Sequence, residues 1–389
     1  MRLLVLVTLL FCANVSVADN TKTIHAELKK ILADEDNPGF QYIVLNQSGI
    51  IFQFNAGYRN LGEKQLVSSN TMFMLNSSSK VFTAAAIMQL VDVGKINITD
   101  KLDQYVNFHP YGANVTIQHL LNQTSGIPNP LPINWLHVEE DHHQFNEHNL
   151  LSSVMEEEPE LSFEPGKKYA YSNISYWLLG KVVENVSGMS YCQYLQTRIF
   201  DPLEIKPEEL SCSLPSKSTY AFGYQKKYSL LSLFFYVVGA DRFFENTEDG
   251  FIRYKRIYHN GPSYGGLFGT GNGVAKFLHD MLKERPTIFG QKTKQLFFSK
   301  QKNNSGQFIS MTLGWRVGEA HGRVFYEKPG GGPGSHSNLR IYPGDNLATL
   351  FFVNRTNVNE NSISDFSSKL DAHILDAGAV KWENNKKIE

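Results

Sequence analysis

Apolar residues follow the spacing of a helix and then strands, next of a run of helices, and finally of strands and a closing helix. Thr21 to Asp34 reads as a first helix. Phe40 to Leu45 and Ile50 to Ala56 are apolar and aromatic runs around the turn Asn46-Gln47-Ser48-Gly49, which predicts a β-hairpin. Lys80 to Val93 (KVFTAAAIMQLVDV) is Ala-rich with apolar residues three and four apart, and Gly94 supplies a stop. From about 96 to 220 the signals are mostly helical, as in Val115 to Leu121, Ser175 to Val186 and Tyr191 to Phe200. After about 305 the pattern changes. Ile309 to Val317, Arg323 to Lys328, Asn338 to Tyr342 and Leu347 to Val353 predict four strands joined by Gly-rich turns, and Ser362 to Asp376 predicts a closing helix. The expected architecture is α/β (α+β), with an antiparallel sheet flanked by helices. The α/β part covers about 20–95 and 255–389, and a helical part covers about 96–254.

Charge and composition narrow the function. The 389 residues carry 37 basic and 38 acidic side chains, a formal net charge of -1, which argues against a nucleic-acid binder that works by neutralising phosphates. Charged residues at 19% and aromatics at 12% exclude wholesale disorder. No 18-residue apolar run marks a membrane span. Residues 1–18 have Arg2, an apolar stretch from Leu3 to Ala13 and small residues at Ser16 and Ala18. That pattern predicts a signal peptide cleaved after Ala18 and a secreted or periplasmic protein. Bulky Phe11 before Cys12 opposes lipidation. After cleavage, Cys192 and Cys212 could form a disulfide or remain two buried thiols.

Candidate chemistry begins at Ser77-Ser78-Ser79-Lys80, an S-x-x-K at the start of the Ala-rich helix. Spacing i,i+3 puts Ser77 and Lys80 on one face. A serine hydroxyl becomes a nucleophile when a neighbouring base takes its proton, and a lysine can do so where burial or a second cation disfavours its charge. Plain N-capping is the alternative for such a serine. A second S-x-x-K, Ser299 to Lys302, lies in a polar stretch and reads as a solvated loop. Tyr171-Ser172-Asn173 is one of four Y-x-N matches, and Lys328-Pro329-Gly330 ends a predicted strand.

It is the ordered set that discriminates. Ser77/Lys80, Tyr171/Asn173 and Lys328/Gly330 in that order resemble the serine β-lactamases and penicillin-binding proteins, most of all the class C β-lactamase-related serine hydrolases with their peptidases and esterases. Residues 116–126 (TIQHLLNQTSG), Pro165-Gly166, Leu178 to Gly180, Gly265 to Leu267, Gly314-Trp315 and Gly330 to Gly334 extend the resemblance over roughly 22 to 355. It implies a β-lactamase/transpeptidase-like fold and a Ser77 acyl-enzyme, without metal or organic cofactor. Lys80 and Tyr171 would share the general-base work, and Tyr171 would protonate the leaving group. Asn173 would orient Lys80 and a substrate amide. Lys328 would add positive charge near Tyr171 and a substrate carboxylate. Backbone N–H groups of Ser77 and Gly331 would form the oxyanion hole. The substrate would be a small molecule or peptide, such as a cell-wall peptide or β-lactam. An esterase on a small or lipid-like ester, and a non-catalytic penicillin- or cell-wall-binding protein, are the alternatives; the complete Ser/Lys/Tyr/Lys set opposes the last.

One element departs from the family pattern. Pro329 stands where the family has a hydroxyl residue that helps bind a substrate carboxylate, which weakens the case for a dedicated β-lactamase. No E-x-x-L-N of the class A kind is present.

Other motifs read as decoys. Gly261 to Gly265 matches G-x-S-x-G, with Ser263 as nucleophile and Asp345 and His373 downstream, but it lacks the buried strand before it. His137, His142, His143 and His148 could hold zinc, yet their i,i+5 spacings do not share a helix face, and a solvated loop beside the active site is the favoured reading. Gly269 to Gly273 reads as a turn into a helix rather than a phosphate cradle. Ser229 to Ala240 (SLLSLFFYVVGA) is unusually apolar. A core segment is favoured there over a lid or a membrane contact.

Overall fold

The computed structural model describes residues 24–30, 37–356 and 360–376. The predicted hairpin forms as β1 (Gly39–Asn46) and β2 (Gly49–Asn60), followed by the short β3 (Gln65–Leu66). From the other end of the chain come β4 (Arg316–Ala320), β5 (Arg323–Gly332), β6 (Ser335–Tyr342) and β7 (Leu347–Val353). They form one seven-stranded antiparallel sheet in the order β4-β5-β6-β7-β1-β2-β3. The join between the chain ends is the β1–β7 pairing, with Phe40 opposite Val353 and Asn46 opposite Leu347.

Both faces of this sheet are covered, so its central strands are apolar throughout rather than alternating. Phe40, Tyr42, Val44, Phe351 and Val353 face one side, under residues 24–30, which are helical, and α5 (Glu360–Asp376). Ile43, Leu45, Leu350 and Phe352 face the other, against the main core. That core also takes in α1 (Lys80–Asp92), α2 (Asn173–Ser187) and α4 (Gly271–Leu282). Helix α1 is buried nearly all round, as an Ala-rich helix threaded between layers must be.

The β-lactamase/transpeptidase-like architecture expected from the sequence is present, with three local differences. Ile309 to Val317 does not form a strand over its length. Gly314 takes φ 133 and turns the chain, so β4 starts only at Arg316. Residues 224–254 are not simply helical, since Tyr224–Lys226, Phe251–Tyr254 and Phe244–Glu248 make a three-stranded sheet of their own. Between the first two of its strands, Leu230–Val237 forms α3, and the core reading of that stretch fails. Leu230 is 87% exposed and Val237 77%, and only Ser232 of this helix is buried. Among the described residues no helix is long and apolar enough to cross a membrane. Cys192 and Cys212 are joined by a disulfide. The predicted helix to Asp34 and the leader at 1–18 lie partly or wholly outside the described residues.

Candidate active site

Ser77 sits on a tight 3₁₀ turn, Asn76–Ser79, that runs directly into α1. Asn76, just before it, takes φ 49 in the left-handed region, which Asn tolerates better than most residues. Its side chain secures this geometry. The amide donates to the Ser335 hydroxyl at 2.7 Å and carbonyl at 3.1 Å, and the amide oxygen meets His259 Nε2 at 2.8 Å. Since Asn76 Oδ1 only accepts, His259 carries its proton on Nε2. His259 is buried, and burial together with the Lys80 charge pushes its pKa down to about 3, so the ring is neutral at pH 7.

The turn packs on β5. Ser78 donates to the Lys328 carbonyl at 2.8 Å, and Ser337 donates to the Leu75 carbonyl at 2.9 Å. Gly330 is required at this approach, because a Cβ there would lie 2.2 Å from the Leu75 oxygen. Gly331 follows, and it lines the same cavity as Ser77. Strand β4 pairs only with Arg323 to Glu327, so Lys328 to Gly332 has β6 on one side and the Ser77 turn near the other. Pro329 is tolerated there because no β4 partner lies opposite it.

Tyr171 and Asn173 arrive from the insertion at the start of α2. Ser172 caps the helix by accepting from the Ser175 N–H. Gln123, at φ 62 in the TIQHLLNQTSG stretch, clamps Ser172 through both backbone groups, at 2.5 Å to its N–H and 3.2 Å to its carbonyl. Asn129 Oδ1 accepts from the Asn173 N–H at 2.9 Å. The two halves of the site meet at Ser77. Its Oγ lies 2.7 Å from Tyr171 Oη and 3.3 Å from Lys80 Nζ. Lys80 is fully buried and donates to Asn173 Oδ1 at 2.7 Å and to the Tyr264 carbonyl at 2.5 Å. Tyr171 Oη is 3.2 Å from Asn173 Oδ1.

Two cations flank the Tyr171 phenol. Lys80 Nζ is 5.0 Å and Lys328 Nζ 5.1 Å from its ring centroid. Negative charge developing on Tyr171 or Ser77 during proton transfer would therefore meet a positive potential in a buried setting. Tyr176 and Tyr264 also pack around Lys80, and burial raises both phenols far above the ordinary value, so they stay neutral. Every predicted site residue, Ser77, Lys80, Tyr171, Asn173, Lys328, Gly330 and Gly331, thus lies in or beside one region. The sequence reading missed Asn76, Gln123, His259 and Tyr264. Their roles depend on tertiary contacts, and only Gln123 and Tyr264 fall inside quoted motifs, the second of them read as a decoy.

The decoys separate from this region or turn structural. Ser263 is buried beside Gly180, where an added Cβ would lie 2.4 Å from its hydroxyl, while Asp345 pairs with Arg323 and His373 lies on α5. Ser299 donates to the Leu296 carbonyl, and Lys300 and Lys302 are exposed. Thr270 caps α4, with the glycines around it packed on Gln41 and Glu209. His137 and His142 stack on each other and on Tyr258, while His148 packs on Phe108. His137 belongs to the short strand Leu136–Val138, which pairs with Ile257–His259, rather than to a solvated loop. Among the described residues no group of three or more His, Cys, Asp or Glu is gathered as a metal site would need.

A cavity of about 320 Å³ opens from Ser77. One end is polar, with Asn76, Asn173, His259 and Gly331. The other is walled by Ile133, Leu136, Phe243 and the inner face of α3.

A serine on the turn before a central helix, a lysine at that helix's start, a tyrosine from a helical insertion and a lysine on a sheet strand thus meet in a fold of the β-lactamase/transpeptidase-like class. The chain belongs to the Beta-lactamase family, whose model matches residues 24–374. The family is of serine hydrolase and acyltransferase type. Penicillin-binding protein 4* of Bacillus subtilis is 30% identical over 312 residues, covering 78% of this chain and 65% of that protein. Protein flp of Staphylococcus aureus is 28% identical over 214 residues, covering 53% of this chain and 42% of its own length. The chain thus spans less than two thirds of these relatives. Among solved structures, the D-amino acid amidase from Ochrobactrum anthropi SV3 superposes with a TM-score of 0.76 at 17% identity, covering 92% of this chain and 99% of that one. The octameric penicillin-binding protein homologue from Pyrococcus abyssi gives 0.72 at 20% identity, covering 90% of this chain and 77% of that one. These two likenesses speak to the fold.

Proposed function

We propose that this protein is an exported serine hydrolase that cleaves an amide or ester bond through a Ser77 acyl-enzyme. The observation that carries this reading is the Ser77 hydroxyl within 2.7 Å of Tyr171 Oη and 3.3 Å of Lys80 Nζ. As Ser77 Oγ attacks the substrate carbonyl, its proton passes to the Lys80/Tyr171 pair, which starts one proton short with Tyr171 as the phenolate between the Lys80 and Lys328 ammonium groups, and the oxyanion is held by the backbone N–H groups of Ser77 and Gly331. The bond to the leaving group then breaks, and Tyr171 returns a proton to the departing nitrogen or oxygen. Water hydrolyses the resulting ester by the reverse sequence. Asn173 holds Lys80 in line, and Lys328 supports charge near Tyr171 and receives a substrate carboxylate.

A peptide-like amide, of the sort named in its relatives (a penicillin, a D-amino acid amide), is the first substrate class. The ester reading rests on a separate observation, the apolar wall of the cavity. Export is supported by the leader pattern at 1–18 and by the Cys192–Cys212 disulfide, since disulfides persist in oxidising compartments. Turnover of D-phenylalanine amide, a penicillin and a p-nitrophenyl ester, measured for the mature protein and for Ser77→Ala, tests the assignment. At least one substrate is consumed, and Ser77→Ala loses about 10³-fold or more. Equal turnover by the two proteins would refute it.

A further inference from the structure

Helix α3 has two apolar faces with different surroundings. Leu230, Leu233 and Val237 point to solvent, whereas Leu231 and Phe235 line the cavity that opens from Ser77 and Phe234, 41% exposed, stands at its rim. Ile133, Leu136 and Phe243 complete the same wall from other elements. No Asp, Glu, Lys or Arg is among the residues lining this cavity. Its two histidines, His259 and His336, are both buried, and burial pushes their pKa values down to about 3 and about 4, so they add no charge at pH 7. The ammonium groups of Lys80 and Lys328 lie outside this lining, around the Tyr171 ring. The nucleophile therefore stands at the border between a cationic, hydrogen-bonding side and an uncharged apolar chamber. The whole cavity, polar and apolar ends together, is about 320 Å³, at the small end of ligand pockets, which leaves its apolar end room for one medium alkyl or aryl group at most.

We infer that α3 is a specificity element: substrates of this protein carry an uncharged apolar group, a medium alkyl chain or an aromatic ring, that packs on Leu231, Phe234 and Phe235 while the scissile carbonyl sits at Ser77. This deepens the proposed acyl-enzyme reading and rests on it. The chamber rewards each methylene it removes from water, which is worth roughly fourfold in acylation rate while the chain still fits.

Alkyl fluorophosphonates of increasing chain length, methyl to octyl, provide the test, because labelling needs no turnover. Ser77 Oγ bonds to phosphorus, fluoride leaves, and the hydroxyl proton passes to the neighbouring base. Second-order labelling rates are followed by intact mass. For the wild-type protein the rate rises more than tenfold from methyl to about hexyl. In the triple variant Leu231→Ala/Phe234→Ala/Phe235→Ala the rise flattens to a few-fold, while methyl labelling persists. Leu233→Ala, on the outer face, retains the wild-type profile. Because these side chains are only partly buried, circular dichroism and melting confirm that the variants stay folded. A flat wild-type profile, or a triple variant that keeps the full slope, would overturn the inference alone. Absence of any Ser77 label, even with the methyl reagent, would overturn the reading of the site and this inference with it.

Discussion

Around Ser77 the least obvious residue is His259. It holds Asn76 Oδ1 at 2.8 Å, and Asn76 in turn sets the left-handed start of the turn that carries Ser77. Burial and Lys80 lower its pKa from 6.5 to about 3. A folded pKa below the unfolded value means the unfolded chain binds more protons in between. The contribution to stability is then fully present above about pH 6.5 and is lost as pH falls toward 3, at about 1.4 kcal/mol per pH unit for one proton. His259→Gln can still donate to Asn76 but cannot titrate. Urea unfolding from pH 7 to pH 4 should therefore give a shallower acid loss for His259→Gln than for the wild type. An unchanged slope would mean that His259 titrates alike in the folded and unfolded chain. Nothing local in Tyr258-His259-Asn260 marked this residue, and its Y-x-N pattern reads only as a stray match. Ser77, Lys80, Tyr171, Asn173 and Lys328 were legible because their order along the chain and the motifs around them could be compared with a family.

Among the elements, strands and helices with strong periodicity were read well. Leu347 to Val353 has the boundaries expected from its apolar run, and the Ala-rich helix ends one residue before its predicted limit. The apolar stretch at 229–240 was misread because hydropathy alone cannot distinguish a core helix from one that walls a cavity. Equally hidden was the charge network under β5. Glu327, next to Lys328, is buried and accepts from Arg340 at 2.8 Å, Arg316 at 2.7 Å, Asn338 at 3.1 Å and Ser364 of α5 at 2.9 Å. Burial alone would raise its pKa, but the two guanidinium groups outweigh this and hold it below the ordinary carboxylate value. Its contribution is therefore present above the unfolded carboxyl pKa and fades as the pH drops below it. Glu327→Gln leaves buried Arg340 undercompensated. Denaturant melts at pH 7 should show a loss of about 3–5 kcal/mol. A loss below 1 kcal/mol would show that the network does not anchor the strand that carries Lys328.

Across the whole molecule, the sheet joins both ends of the chain and one continuous core runs from it through α1 into the insertion. Ile43, Phe352, Val81 and Leu178 belong to the same cluster. That continuity brings the insertion's Tyr171 to a serine held against the sheet. The sequence pattern indicated an insertion between the two parts of a sheet. The three-stranded sheet within 224–254 escaped it because its strands are short and partly exposed. In the proposed reaction Ser77 is the nucleophile, and Lys80 and Tyr171 activate it. The most direct test is peptide mapping of a fluorophosphonate-labelled protein, alongside Ser77→Ala and Tyr171→Phe. One phosphonyl group is expected on the peptide that contains Ser77, none in Ser77→Ala, and labelling slowed roughly 10²–10⁴-fold in a folded Tyr171→Phe. A label on Ser263 or any other residue, or undiminished labelling in Ser77→Ala, would contradict it.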